Sequence, residues 1–140
     1  MAAGFLHVDP THLLANLLSL LIAGPFLERR LGPTTFALFY AASLAGAGIT
    51  SVLLHPAPFV GVGASGAIFG LAGALIARNF VVVVRRRLPM GPLVRSAATL
   101  VVLNVALALL VPQIAWQAHV GGAATGAVLG IAQAVLTRKG

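Results

Sequence analysis

Five apolar segments, each close to the length that crosses a bilayer, constrain this chain more than any other feature. A helix needs about 20 apolar residues to cross a hydrocarbon core of roughly 30 Å. Because backbone polar groups in lipid must be satisfied internally and no alternating strand pattern appears, all five segments are predicted to be helices. They run over about His12 to Leu27, Thr34 to Leu54, Gly63 to Val84, Leu93 to Val111, and Trp116 to Thr137. Clusters of Gly, Pro and charged residues separate them, at Arg29-Arg30-Leu31-Gly32-Pro33, His55-Pro56-Ala57-Pro58, Arg85 to Pro92, and Pro112-Gln113.

The composition excludes the soluble classes of protein. Of 140 residues, 59% are apolar and 8% are charged, whereas a soluble domain of this size must expose about a third of its chain surface. The high hydrophobicity excludes disorder, and the absence of cysteine excludes a disulfide scaffold. The net charge of +7 suggests no nucleic-acid partner, because the basic residues lie between or beside apolar segments without interleaved aromatic residues. We therefore predict one polytopic membrane domain over residues 1–140, with the lipid bilayer as its surroundings.

The basic residues also predict the orientation of that domain. Counted from the N-terminal segment onward, the connections carry none, two, none, about five, none and two Lys or Arg residues. This alternation is the positive-inside pattern, so we expect the N-terminus outside and the C-terminus in the cytoplasm. No removable signal peptide is expected, because the N-terminus lacks a basic region followed by an apolar one.

Four polar side chains near the outward ends of alternate spans predict a site within the membrane. His12 and Asn16 lie near the start of the first span, Ser65 near the start of the third, and His119 near the start of the fifth. A polar residue inside a membrane is costly and usually has a function. Since these residues lie at one depth on different helices, we expect them to form a single site.

Ser65 is the candidate nucleophile. It stands in Gly63-Ala64-Ser65-Gly66, at a predicted junction of loop and helix. Glycines beside a serine let a substrate backbone approach, and a helix N-terminus offers free N–H groups to a developing oxyanion. In a chain with 16 glycines, the same string is more often a sign of helix packing.

His119 is the candidate general base, because an imidazole can take the proton of a serine hydroxyl. The alternative is a lone interfacial histidine bonded to a carbonyl. Small residues that share its helix face predict close packing of the fifth span against the third, which would bring His119 to Ser65. These small residues are Gly122, Gly126 and Gly130 on the fifth span and Gly66 and Gly70 on the third.

His12 and Asn16 are four residues apart on one helix face, and both side chains can donate hydrogen bonds to an oxyanion. Asn16 as a contact between helices and His12 as a cap is an equally good interpretation. The acidic residues, Asp9 and Glu28, fall on opposite sides of the membrane. Neither can complete a soluble-type triad, and proteases with two carboxylates or a His-Glu metal site are excluded. Asn104 lies in the middle of the fourth span without an assigned partner.

Four motifs follow one another along the chain, and they are His7-x4-His12-x3-Asn16, Glu28-x-Arg30-Leu31-Gly32, Gly63-Ala64-Ser65-Gly66-Ala67-Ile68-Phe69-Gly70, and Ala118-His119-Val120-Gly121-Gly122 with Gly126 following. In this order on alternate spans, the motifs resemble the rhomboid family of intramembrane serine proteases over nearly the whole chain. The resemblance implies Ser65 as nucleophile and His119 as general base, with the Ser65 N–H, His12 and Asn16 forming the oxyanion hole. Phe69, one turn after Ser65, is placed to pack against the His119 ring, although core packing explains it equally well.

The resemblance implies further expectations. Gly63, Gly66, Phe69, Gly122 and Gly126 would support the active site, and Glu28 and Arg30 would brace a cytoplasmic loop. No cofactor or metal is expected. The five spans would correspond to the second to sixth helices of the six-helix rhomboid core, so the first helix and most of the following loop, with its Trp-Arg motif, are expected to lie outside this sequence. Substrates would be single-pass transmembrane proteins, and the membrane a bacterial cytoplasmic one.

Two other functions are open at this point. A catalytically inactive rhomboid-like scaffold would bind transmembrane helices without cutting them, but such relatives typically lack the serine or the histidine. A small transporter or metal channel would use the four histidines, which are His7, His12, His55 and His119. This last reading is the least favoured, because those histidines have no carboxylate or thiol partners and the sequence shows no inverted repeat.

Overall fold

The computed structural model of the chain describes residues 6–7, 9–54, 63–110 and 115–137. These residues form five α-helices and no strand, which confirms the all-α prediction. The predicted loop His55-Pro56-Ala57-Pro58, the predicted fourth-span end at Val111, the Pro112-Gln113 connection, and the basic residues Arg138 and Lys139 lie outside the described residues. The helices are α1 (Pro10–Leu31), α2 (Pro33–Leu54), α3 (Ser65–Arg86), α4 (Gly91–Leu110) and α5 (Trp116–Leu136).

The ends of α1 differ from the predicted limits. It begins two residues early because Asp9 is its N-cap, with a side chain that accepts from the His12 N–H at 2.9 Å, and Pro10 occupies the first turn. It continues past Leu27 and ends at Gly32, whose positive φ of 85° suits glycine. The prediction of an end at Leu27 was wrong, because a helix does not stop where charged residues begin, and basic residues favour its C-terminal turn.

The centre of the bundle is the contact between α3 and α5, where backbone packs against backbone. A methyl group on Gly122 would overlap the carbonyl oxygen of Gly66, and one on Gly126 would overlap that of Gly70. Glycine is therefore required where these helices meet. At the far end of the pair, the Arg85 Nη1 of α3 donates to the Ala134 carbonyl of α5 at 2.8 Å. The predicted face-to-face packing of the third and fifth spans is confirmed.

Helix α2 covers this pair, again through small residues. Ser43 lies against Gly70, and Thr50 lies against Gly121, with too little space for a β-carbon at either glycine. Ser43 of α2 and Leu71 of α3 are both fully buried. The three helices thus form one compact unit that fixes the start of α3 beside the start of α5.

Helix α1 packs Leu27 into the core that it shares with α2 and α3, whereas α4 lies at the edge of the bundle. No residue of α4 is buried among those whose side chains are described. An apolar cavity of about 830 Å³ separates the two helices, lined among others by Leu27 of α1, Leu75 of α3 and Leu100 of α4. It also reaches Asn79, which lies about 20 Å along α3 from Ser65 at 1.5 Å per residue. This cavity is therefore at the opposite end of α3 from the candidate nucleophile.

Four of the five helices are long and apolar enough to cross a membrane, as judged by length and composition. They are α1, α2, α3 and α5, while the apolar part of α4, Gly91–Leu107, is shorter. Many large apolar side chains point outward, including Ile22 of α1, Val52 of α2 and Leu109 of α4. A surface of this kind suits a lipid environment.

Candidate active site

Ser65 is the first residue of α3, and the start of this helix carries no side-chain cap. The residue before it, Ala64, has no side chain that can bond the first N–H groups, and the first backbone bond of the helix joins the Ile68 N–H to the Ala64 carbonyl. Among the described residues none bonds the N–H groups of the first turn, so these groups can bind an anion or an oxyanion. The loop-to-helix junction predicted at this serine is where the structure places it.

His119 is the fourth residue of α5, and its ring meets Ser65 across the contact between α3 and α5. Its Nε2 atom lies 2.8 Å from the Ser65 Oγ, which is hydrogen-bonding distance. The side chain is 2% exposed. Because Gly66 and Gly122 let the two backbones approach, a serine and a histidine 54 residues apart in sequence come together.

Phe69 packs against one face of the His119 imidazole ring. Its ring is stacked on that of His119, with ring centroids 4.3 Å apart and planes inclined by 6°. Phe69 is itself buried, one turn along α3 from Ser65. Such aromatic contacts contribute about 0.5–1.5 kcal/mol beyond their buried area. The stack limits the tilt of the His119 ring.

Asn104 is the residue of the site to which the sequence assigned no role. Its Oδ1 atom lies 3.0 Å from the Nδ1 of His119, on the ring edge opposite the one that faces Ser65. The sequence signal was present, since an amide in the middle of an apolar segment needs a partner. Its partner could not be named, because that depends on how α4 is rotated against α5.

His12 and Asn16 meet the site through Gly63, two residues before Ser65. A β-carbon on Gly63 would lie 2.8 Å from the Cε1 of His12 and 3.4 Å from the Nδ2 of Asn16. Gly63 also has a positive φ of 116°, which strains any other residue. The position therefore requires glycine for two independent reasons, and the structure places both predicted donors against the loop that leads to Ser65.

The polar groups of α1 are partly engaged with one another. Asn16 is buried, and its Nδ2 donates to the His12 carbonyl at 3.1 Å, which uses one of its two N–H bonds. The His12 ring meets the His7 ring edge to face, with centroids 5.1 Å apart. One Asn16 N–H therefore stays available to a ligand at the site.

The acidic residues lie away from this cluster. Asp9 and Glu28 are both exposed, at opposite ends of α1. Hydrogen bonds from the Thr11 side chain and the His12 backbone N–H lower the pKa of Asp9. At the other end, the Arg30 guanidinium lies over the Phe26 ring at 5.0 Å. No group of three or more metal-ligating side chains occurs among the described residues, and His55 lies outside them.

The cluster has the parts needed for nucleophilic catalysis by a hydroxyl. A serine lies within hydrogen-bonding distance of an imidazole, whose other nitrogen meets an amide, and the serine begins a helix whose first turn has no side-chain cap. This arrangement suits acyl transfer, in which a base activates the hydroxyl and donors stabilise the oxyanion.

Comparison with known proteins shows to which family the chain is similar. The model of the Rhomboid domain matches residues 1–135. "Putative rhomboid protease YdcA" of Bacillus subtilis (strain 168) is 37% identical over 124 residues, which cover 89% of this chain and 61% of that protein. RHOMBOID-like protein 4 of Arabidopsis thaliana is 34% identical over 131 residues, 93% of this chain and 32% of that protein.

A third similar protein is rhomboid protease GluP of Bacillus subtilis (strain 168), 32% identical over 133 residues, 92% of this chain and 25% of that protein. The chain therefore spans about three fifths of the length of one of these relatives and a third or less of the other two. No solved structure matches the chain significantly.

Proposed function

The chain belongs to the rhomboid family of multi-pass membrane proteins, and from the pairing of Ser65 with His119 we propose that it is an intramembrane serine endopeptidase. The relatives named as rhomboid proteases support this activity at the level of the family. The 2.8 Å contact between Oγ and Nε2 carries the proposal for this chain, because a serine is a weak nucleophile until a base takes its proton.

In the proposed reaction, the Ser65 Oγ attacks the carbonyl carbon of the scissile peptide bond. His119, in its neutral form, takes the hydroxyl proton at Nε2 and then gives it to the nitrogen of the leaving amine. A water molecule next attacks the acyl-enzyme, with His119 again as base, and releases the carboxylic acid and free Ser65. The cycle hydrolyses one peptide bond and restores both side chains.

The oxyanion of the tetrahedral intermediate would be stabilised from two sides. The Ser65 backbone N–H is available because α3 has no side-chain cap. His12 and the second Asn16 N–H would donate from α1, across Gly63. Each such donor is worth about 10²–10³ in kcat.

The catalytic group would be a dyad. Asp9 and Glu28, the acidic residues of the sequence, lie at the exposed ends of α1, so neither can bond the His119 Nδ1 as an aspartate does in the soluble triad. The atom that bonds it is the amide oxygen of Asn104.

We propose single-pass transmembrane proteins as substrates, cut near their outward ends. The basic connections favour an orientation with the N-terminus outside and the C-terminus in the cytoplasm, in which the starts of α1, α3 and α5 would face outward. Water would then reach Ser65 from the outer side. Since a peptide bond in a regular helix is shielded by its own hydrogen bonds, we expect cleavage where helix-breaking small residues let the substrate unwind.

The test is cleavage of a transmembrane reporter in liposomes. We expect Ser65→Ala and His119→Ala each to lower the rate by at least about 10⁴-fold, because the two residues act as one unit. Ser96→Ala is the matched control, since this serine is exposed on α4 and bonds its own helix at the Pro92 carbonyl. Cleavage that persists in the Ser65→Ala protein would overturn the assignment.

Labelling with a fluorophosphonate separates the enzyme from a scaffold. An activated serine reacts with this probe, so the wild-type protein and the Ser96→Ala variant should be labelled, whereas the Ser65→Ala variant should not. A folded wild-type protein that is neither labelled nor active would instead support a non-catalytic protein that binds transmembrane helices.

A further inference from the structure

Asn104 bonds the catalytic base on the edge that faces away from the nucleophile. We propose that it is a positioning residue, which holds His119 in the orientation and tautomer that leave Nε2 free to accept the Ser65 proton. This inference rests on the proposed function of Ser65 and His119. It assigns a task to an amide within the apolar helix α4, whose other described residues make no hydrogen bond to Ser65 or His119.

The tautomer follows from the two contacts of the ring. To act as base, the Nε2 of His119 must accept from the Ser65 hydroxyl, so the ring proton must be on Nδ1. An N–H in a side chain that is 2% exposed needs an acceptor, since a buried donor without a partner loses its hydrogen bond to water and gains none in return. The Asn104 Oδ1 lies 3.0 Å from Nδ1 and meets that need.

The stacking of Phe69 cannot select which edge of the His119 ring faces Ser65. A rotation of the imidazole by 180° about the Cβ–Cγ bond leaves it parallel to the phenyl ring, so the stack is kept in either orientation. The rotated ring would, however, turn carbon atoms toward both Ser65 and Asn104. Phe69 therefore restricts the plane of the ring, and the hydrogen bond from Nδ1 selects which edge faces the serine.

The side-chain amide of Asn104 can turn either its oxygen or its nitrogen toward the His119 Nδ1, and only the oxygen is compatible with His119 as base. If Asn104 were turned so that its Nδ2 donated to Nδ1, the ring proton would have to be on Nε2. Nε2–H would then donate to the Ser65 oxygen, and His119 could not accept the hydroxyl proton. The proposal thus requires one orientation of the amide and one tautomer of the imidazole.

The location of Asn104 explains why it can act on His119 without supporting the fold. No described α4 side chain is buried, and Asn104 itself is only partly so. Around it on α4, exposed valines such as Val102 face outward. Loss of the amide should therefore change the geometry of the ring far more than the stability of the bundle.

The first measurement is the tautomer of His119, read from the ¹⁵N chemical shifts of its imidazole in proteoliposomes and assigned by the signals lost in His119→Gln. We expect the wild-type ring to carry its proton on Nδ1. In Asn104→Leu, which is similar in size but has no acceptor, we expect a mixture of tautomers. In Asn104→Asp, which can only accept when ionised, the Nδ1–H form should be kept. Val102→Leu is the control on the same helix and should match wild type.

The second measurement is kinetic. We expect Asn104→Leu to lower kcat by about 10²-fold, within the range of general-base catalysis, with little change in KM because the residue lies behind the ring and away from the substrate. Asn104→Asp should recover most of that loss. A merely structural role predicts equal losses in both variants, together with an unchanged tautomer.

The outcomes separate this inference from the proposed function. Cleavage by Ser65→Ala overturns the function, and the inference with it. If Ser65→Ala is inactive while Asn104→Leu keeps the wild-type kcat and tautomer, the inference alone fails. A proton on Nε2 in the wild-type protein overturns it as well, whether or not the Asn104 variants fold.

Discussion

Two helix contacts meet at His119, that of α5 with α3 and that of α5 with α4. The first is made by backbone atoms and the second by a side-chain hydrogen bond. Between α3 and α5, the glycines Gly66 and Gly122 let one backbone lie on the other, so the separation cannot shrink further. Between α4 and α5, the described contact at the site is a side-chain hydrogen bond, and no described residue of α4 is buried.

The geometry of the α3–α5 contact is fixed, whereas that of the α4–α5 contact can adjust. A contact limited by backbone atoms has one geometry, because nothing can rotate to relieve an added side chain. The Ser65–His119 distance is set by such a contact. A contact made by one amide can be lost without moving a helix, so α4 influences the orientation of the ring rather than its position.

Breaking the backbone contact should have the largest effect. In Gly126→Val, the added side chain meets the Gly70 carbonyl, so we expect the free energy of unfolding to fall by about 3 kcal/mol, the upper end for overpacking, and cleavage to be lost. The loss of stability is measured by titration with a denaturing detergent. Ala124→Val, two residues away on the exposed side of α5, is the control and should change stability by less than about 0.5 kcal/mol. Equal stability of the two variants would show that the backbone contact does not hold the pair.

A smaller effect is expected where the loop before α3 meets α1. In Gly63→Ala, the β-carbon would lie 2.8 Å from the His12 ring, so the ring must move, and we expect kcat to fall by about 10²-fold through loss of an oxyanion donor. The positive φ should cost only about 1–2 kcal/mol in stability, so the protein stays folded. Reporter cleavage and the unfolding transition measure the two quantities separately.

The control for that variant is Gly48→Ala on α2. Gly48 is exposed, and an added β-carbon meets nothing within 4 Å. The helix should gain roughly 0.5–1 kcal/mol in stability from its better propensity, with no change in kcat. If Gly63→Ala were as active as Gly48→Ala, His12 would have no part in the reaction.

The smallest effect is expected at the N-terminus of α1. Hydrogen bonds from the Thr11 side chain and the His12 N–H lower the pKa of Asp9 below its unfolded value, so the folded state favours the carboxylate. The stabilisation of the helix end is then complete above pH of about 4 and is lost as the pH falls through the lower folded-state pKa. Hydrogen exchange at the His12 amide should accelerate over that range.

Asp9→Asn tests this prediction directly. Asparagine caps a helix about as well as aspartate but does not titrate, so exchange at His12 should become independent of pH in the acid range apart from its intrinsic chemistry. An acid-dependent opening that is the same in wild type and in Asp9→Asn would rule out Asp9 as its cause.

Much of the fold could be predicted because the limits of each helix depend on residues that are close together in the sequence. The apolar segments and the separating Gly, Pro and Arg clusters predicted all five helices, and most of their limits agree with the structure to within about two residues. The C-terminal end of α1 was predicted at Leu27, ahead of the separating cluster Arg29 to Pro33, whereas the helix continues into that cluster as far as Leu31. Within the cluster, the pair Gly32-Pro33 ends the helix and the two arginines do not.

The sequence by itself determined which residues are available for the chemistry: Ser65 and His119 near the starts of the third and fifth spans, glycines spaced to bring those spans together, and no carboxylate within reach. The tertiary structure decided the role of Asn104, because the partner of a lone amide depends on the rotation of α4 about its axis. None of the described α4 side chains is fully buried, so no apolar stripe in the sequence specifies that rotation. Only the packing of α4 beside α5 brings the amide to the Nδ1 of His119.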